Sequence, residues 1–250
     1  GSMNLESPRK GQARIGEIMQ YIHRKEVIVK HHHFDCFDGA WVIPKDKRRQ
    51  GVILYLHGGG YTCGDLDYAL GFGSTLAAEC GCKVFCAAYR LAPEHPYPAA
   101  AEDAVTAYAY LLEKGYEPSQ IALCGESAGG GLCYSLCLKL KQENLPQPGC
   151  IAAISPWTDL SCIGESYGEN EKLDVSMTKE QLEYFARLYA APAEEPHSVT
   201  SCRFRDEAAR ANRGPTVTIL APARVSYASC RRRYRDGYVS SSTPFHSLSR

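Results

Sequence analysis

The sequence contains no uninterrupted apolar run approaching the ~18 residues that a membrane-spanning helix needs, so no spanning helix is expected. It has no excess of charge of either sign, because 28 Lys and Arg stand against 28 Asp and Glu. That total points to no nucleic acid partner and to no acidic membrane surface. Paired C-x-x-C spacing is absent although Cys occurs 12 times, so no zinc site is expected. A secretory signal pattern is also missing from the start, where Gly1-Ser2-Met3 reads as a cloning scar. Cys80, Cys82, Cys86, Cys124, Cys133, Cys137 and Cys150 lie instead within apolar runs, where a reduced thiol behaves as a small hydrophobe. That usage points to a reducing cytoplasm.

Lysine is missing from the last fifty residues. Residues 201–250 hold ten Arg, eight Ser and three acids, a balance of +7 that leaves −7 for the preceding 200. Reading a G+C-rich gene out of frame produces such an enrichment. Residues from 198 onward are therefore read as a shifted or replaced C-terminus. The Arg231-Arg232-Arg233 run with Arg235 reads as a solvated or unstructured tail rather than a polyanion site.

What is present is ordinary for a globular chain of one large or two small domains. Of the 250 residues 44% are hydrophobic and 22% charged, which excludes global disorder. Ile15, Ile18, Met19 and Ile22 recur at helical spacing and predict a helix over 13–24. Strands are expected around 26–36 and 40–44, and buried strands at 52–56 and 82–89. Pro98 and Gly115 bracket a helix with Val105, Tyr108 and Leu111 on its buried stripe. A strand at 121–124, a helix at 128–141 carrying Leu132 and Leu136, and a strand at 151–154 follow. Thr178 and Gln181 form a capping box ahead of a helix carrying Leu182, Phe185, Ala186 and Tyr189. Alternating strands and helices mean α/β architecture with a mostly parallel sheet.

Two glycine motifs carry chemistry. Gly125-Glu126-Ser127-Ala128-Gly129 matches G-x-S-x-G between a predicted strand and a predicted helix, the context of a nucleophile elbow. A chance glycine turn is the competing reading, and the strand–turn–helix context argues against it. His57-Gly58-Gly59-Gly60-Tyr61 follows a buried strand, where bare backbone amides can approach a ligand. Gly58, Gly59 and Ala128 are the candidate N–H donors to a tetrahedral oxyanion. His57 is expected to orient the loop by hydrogen bonding. His31 and His33 share a strand face but lack a third metal ligand.

These two motifs join two more in order, Tyr89-Arg-Leu-Ala-Pro-Glu-His-Pro-Tyr-Pro-Ala-Ala100 and Ser155-Pro-Trp-Thr-Asp-Leu160. Together they resemble the hormone-sensitive-lipase-like esterases of the α/β-hydrolase fold over residues 13–200. The resemblance implies an α/β-hydrolase with a mostly parallel central sheet flanked by helices. It also implies a small helical cap built from the N-terminal helix and the segment around 165–190. The division expected is 1–40 as cap segment and first strand, 41–200 as hydrolase core, and 201–250 as an atypical tail. The implied activity is that of a serine carboxylesterase on short-chain acyl esters. Ser127 is then the nucleophile, no metal or organic cofactor is needed, and a homodimer is the assembly considered. His95 falls in a motif whose family role is structural.

A serine hydrolase of this fold needs its acid and then its base after the nucleophile. Only His197 and His246 follow Ser127, with Asp159, Asp174, Asp206 and Asp236 as acids. Asp236 and His246 have the required order and are the candidate acid and base, but neither sits in the family's usual context. His197 reads as a loop residue, and Asp159 is a secondary candidate for the acid. Residues 215–221 form the one plausible late strand, and no acid appears in the following run to Arg233. The tail is therefore expected not to complete the catalytic apparatus. The alternative of another class is a non-catalytic small-molecule-binding protein on the same scaffold. The plant gibberellin receptors, which resemble this family, keep a serine and lack a working histidine.

Overall fold

A computed structural model describes residues 4–163, 167 and 177–190, together with the backbone of 216–220. Seven strands form one sheet: β1 (Val27–His33), β2 (Asp38–Pro44), β3 (Val52–Leu56), β4 (Lys83–Ala88), β5 (Ile121–Glu126), β6 (Cys150–Ile154) and β7 (Thr216–Leu220). Their order is β1-β2-β4-β3-β5-β6-β7. The β1–β2 and β2–β4 pairs are antiparallel, and every later pair is parallel. The helices are α1 (Glu6–His23), α2 (Leu66–Cys80), α3 (Ala99–Glu113), α4 (Ala128–Gln142) and α5 (Lys179–Ala190).

The period-2 alternation of strand side chains divides the core in two. Val52, Leu54 and Leu56 face α3 and α4, where they meet Tyr108, Leu111, Leu132 and Leu136, all fully buried. Val105 is half-buried against the same cluster. Tyr55, Val84, Cys86 and Cys124 face the other way, onto Ala69, Leu70 and Ala77 of α2. Full burial on both faces explains why β3 and β4 read as continuous apolar runs. The ten described Cys are all free thiols. Burial pushes Cys124 and Cys137 up to about 12, so they are packing groups rather than nucleophiles.

Two features differ from the sequence reading. Helix α2 was not expected at all. Asp65 caps it by accepting the Tyr68 N–H at 2.8 Å, and Gly81 ends it in the left-handed conformation at φ 60°. Helix α1 begins seven residues earlier than expected and turns a different face inward. Ile15, Ile18, Tyr21 and Ile22 are exposed, and Gly16 is the buried residue. The reason is a close helix crossing. A Cβ on Gly16 would stand 2.1 Å from the Asp67 carbonyl oxygen, and one on Gly71 would stand 2.7 Å from the Gly16 Cα.

Arg9 straps α1 to the body. Its guanidinium donates to the Thr62 carbonyl at 2.7 Å, the Ala92 carbonyl at 3.1 Å, and both Glu94 carboxylate oxygens at 2.8 Å. The Arg9 hydrogen bonds push the Glu94 carboxyl from its ordinary 4.5 down to about 2. A depressed carboxyl stabilises the fold above 4.5, and that contribution is lost as pH falls toward 2. The pair is largely exposed, so its share is at most ~1 kcal/mol, or up to about 4 °C of melting midpoint. Arg9→Ala should melt below the wild type at pH 6, and the gap should narrow at pH 3. A gap that widens on acidification refutes this account.

Candidate active site

Ser127 joins β5 to α4 with φ 51° and ψ −121°. A side chain at positive φ is strained, and here the strain is that of a sharp strand-to-helix turn. The turn is held from three sides. The Ser127 N–H donates to the Ile154 carbonyl at 3.0 Å, and the Ser127 carbonyl accepts from Gly131 at 3.0 Å and Trp157 at 2.8 Å. Both motif glycines are sterically required. A Cβ on Gly129 would meet the Leu56 carbonyl oxygen at 2.0 Å and that of His57 at 2.4 Å. One on Gly125 would meet the Gly129 backbone at 2.5 Å. The start of α4 thus lies directly against the end of β3, beside the glycine loop.

That loop carries positive φ at Gly59 (115°), Gly60 (63°) and Tyr61 (60°). The Gly59 carbonyl closes it by accepting from Thr62 at 3.1 Å and Cys63 at 2.9 Å. His57 orients it, as the sequence suggested. Its Nδ1 lies 2.7 Å from the Gly58 carbonyl, which can only accept, so Nδ1 carries the hydrogen. The ring stacks on Tyr89 with centroids 4.2 Å apart. Burial lowers His57 to about 4, so the imidazole is neutral at pH 7.

Gly58 differs from its expected role. Its N–H donates to Glu126 Oε1 at 2.6 Å, so it is engaged inside the protein rather than free for an oxyanion. The Glu126 carboxylate also accepts from Tyr55 at 2.7 Å and Tyr68 at 3.3 Å. Burial holds this carboxyl above its ordinary range, against the pull of those donors. Glu126 occupies the variable position before the nucleophile, so the motif gave no sign of it. Tyr68 lies on the unexpected helix α2.

Helix α5 covers the loop. The reciprocal Thr178–Gln181 capping bonds, 3.0 and 3.2 Å, set its start. Tyr189 stacks on Tyr61 with centroids 3.9 Å apart. Phe185 lies where a Gly60 Cβ would come within 2.7 Å of its ring.

Ser127, Ala128, Gly58 and Gly59 are thus brought to one end of β3 and β5. The candidate base His246 and acid Asp236 lie outside the described residues, as do Asp174, His197 and Asp206. Strand β7 occupies the late-strand position beside β6. Asp159 accepts from both the N–H and the hydroxyl of Ser161 in the loop after β6. His95 is exposed, and His33 Nδ1 lies 2.6 Å from Asp38. Among the described residues no group of three or more His, Cys, Asp or Glu is placed to hold a metal. No helix among them is long and apolar enough to cross a membrane.

A family model described as alpha/beta hydrolase fold matches residues 53–230. An acetyl-hydrolase of Streptomyces hygroscopicus is 38% identical over 162 residues, covering 64% of this chain and 54% of that protein. An ethyl acetate hydrolase of Pseudomonas putida is 37% identical over 147 residues, covering 56% and 45% respectively. The chain thus spans about half the length of these curated relatives. The crystal structure of an esterase from the bacterial hormone-sensitive lipase family superposes with a TM-score of 0.75 at 30% identity. That superposition covers 88% of this chain and 72% of the other. With its four motifs, its sheet order and its elbow serine, the chain belongs to the hormone-sensitive-lipase-like esterase family of α/β-hydrolases.

Proposed function

We propose that the protein is a serine carboxylesterase that hydrolyses short-chain acyl esters through an acyl-enzyme on Ser127. The observation that carries this reading is the strained Ser127 elbow, φ 51°, set against a loop of three glycines. Ser127 Oγ attacks the acyl carbonyl carbon and passes its proton to the candidate base His246 or to water, and the carbonyl oxygen becomes an oxyanion. The amides of Gly59, Gly60 and Ala128 hold that charge, with Gly60 in place of Gly58. Collapse of the intermediate expels the alcohol, which takes a proton. Water then attacks the acyl-serine, releasing the carboxylic acid and restoring the hydroxyl. His246 and Asp236 have the chain order for base and acid, but the composition of the tail argues for a small contribution from them.

Two observations support short acyl groups. Phe185 packs over Gly60 and narrows the space above the loop. The relatives named above act on acetyl groups or ethyl acetate by their names. The test is exposure of the full chain to a fluorophosphonate, followed by peptide mapping and a series of p-nitrophenyl esters. The adduct should fall on Ser127 and be absent from Ser127→Ala. Turnover should be higher on the acetate and butyrate than on the decanoate. A wild-type chain that takes no label at Ser127 overturns the proposal.

A further inference from the structure

Glu126 is neither the nucleophile nor an oxyanion donor, yet it receives hydrogen bonds from three separate parts of the fold. Oε1 accepts the Gly58 N–H at 2.6 Å and the Tyr68 hydroxyl at 3.3 Å, and Oε2 accepts the Tyr55 hydroxyl at 2.7 Å. Tyr55 comes from β3, Tyr68 from α2, and Gly58 from the glycine loop. Glu126 itself is joined covalently to Ser127. We infer that Glu126 is the positioning residue of the oxyanion loop. Its carboxylate locks Gly58 to the elbow and so fixes where the next two amides stand relative to Ser127 Oγ. This role rests on the hydrolase reading proposed above.

The chemistry of the contacts supports it. A loop of three glycines has no side chains of its own to hold it. Oxyanion donors must stand ~2.7–3.1 Å from the developing charge, and a misplacement of ~1 Å can cost ~100-fold in rate. A hydrogen bond to a carboxylate is short and roughly twice as strong as a neutral one. A carboxylate also accepts only, so all three donors can be satisfied at once. An apolar residue at 126 would leave the Gly58 N–H and the Tyr55 hydroxyl unpaired. Glutamine would keep the essential contact, with its Oε1 toward Gly58 and its Nε2 toward Tyr55, whose oxygen can accept.

The test uses the full chain with Glu126→Ala and Glu126→Gln. The readouts are amide hydrogen exchange of the peptide spanning 57–63 and the rate of fluorophosphonate reaction. Ester kcat and KM are read alongside. Glu126→Ala should speed exchange in 57–63 while peptides from α4 keep their protection. It should lower the phosphonylation rate and kcat by about 100-fold with KM unchanged. Glu126→Gln should restore both to within about tenfold. A reactive wild type whose Ala variant reacts at the same rate overturns the inference, as does unchanged exchange in 57–63. If Glu126→Ala does not fold, Glu126→Met, close in volume and unable to accept, replaces it. If neither folds and Gln does, Glu126 is a fold determinant and the positioning role is wrong. A wild type that takes no label while the Ala variant still frees the loop defeats the hydrolase reading and leaves the loop lock standing.

Discussion

Gly129→Ala is expected to lower the melting midpoint by about 5 °C and the phosphonylation rate of Ser127 by ~100-fold or more. The added methyl would lie 2.0 Å from the Leu56 carbonyl oxygen. That oxygen cannot yield, because Leu56 sits mid-sheet between Ala87 of β4 and Gly125 of β5. The start of α4 must retreat instead, and it carries the Ala128 amide and the serine with it. Overpacking of this kind costs ~1–3 kcal/mol, which accounts for the thermal shift. Gly11→Ala is the control, since its Cβ would meet nothing within 4 Å. It should leave both readouts unchanged or raise the midpoint slightly, as alanine favours a helix. An equal loss in both variants, or none in Gly129→Ala, refutes the steric account of the elbow.

Ester turnover by this chain is expected to be far below that of a complete family member, and to change less than about tenfold in His246→Ala or His197→Ala. A serine hydroxyl without a base is a weak nucleophile. Described strands bring Ser127 and the glycine loop to one sheet edge, but nothing in the sequence after β7 carries an acid-rich turn and a histidine beside glycine. Residues 201–250 hold ten Arg, eight Ser and three acids, a composition unlike the family's acid and base motifs. The check is a pH–rate profile on a short-chain aryl ester for the wild type and both variants. A loss of about a thousandfold in either variant shows that its imidazole is the base, and the expectation fails.

The parts of the fold that the sequence revealed are those where burial and punctuation agree. Strands β3, β4 and β5 are apolar on both faces and show no alternation, but their short length and the glycines or turns at their ends mark them as strands. Helix α2 was hidden because, apart from Leu70, its buried residues are all small (Ala69, Gly71, Gly73, Ser74 and Ala77) and give little hydrophobic period. The same effect misdirected α1, whose isoleucines mark the outer face because a glycine makes the inner contact. At the candidate site, the sharp turn at Ser127 was legible since such a turn demands glycines at fixed offsets. The engagement of Gly58 was not, because it depends on a carboxylate at the motif's variable position and on tyrosines from two other elements. No spacing rule encodes a contact spanning 68 residues of chain.

The sheet order has a consequence for synthesis. From β3 outward the strands run β3, β5, β6, β7, so on this side each new strand is laid at the outer edge. By the time Ile154 leaves the ribosome, six of the seven described strands, the glycine loop and the elbow have all been made. The nucleophile turn, its glycine loop and the central strands are thus all encoded upstream of the tail. A change of sequence late in the gene then alters what is added at the outer edge of the sheet, and leaves the residues of the serine turn and its loop as they are.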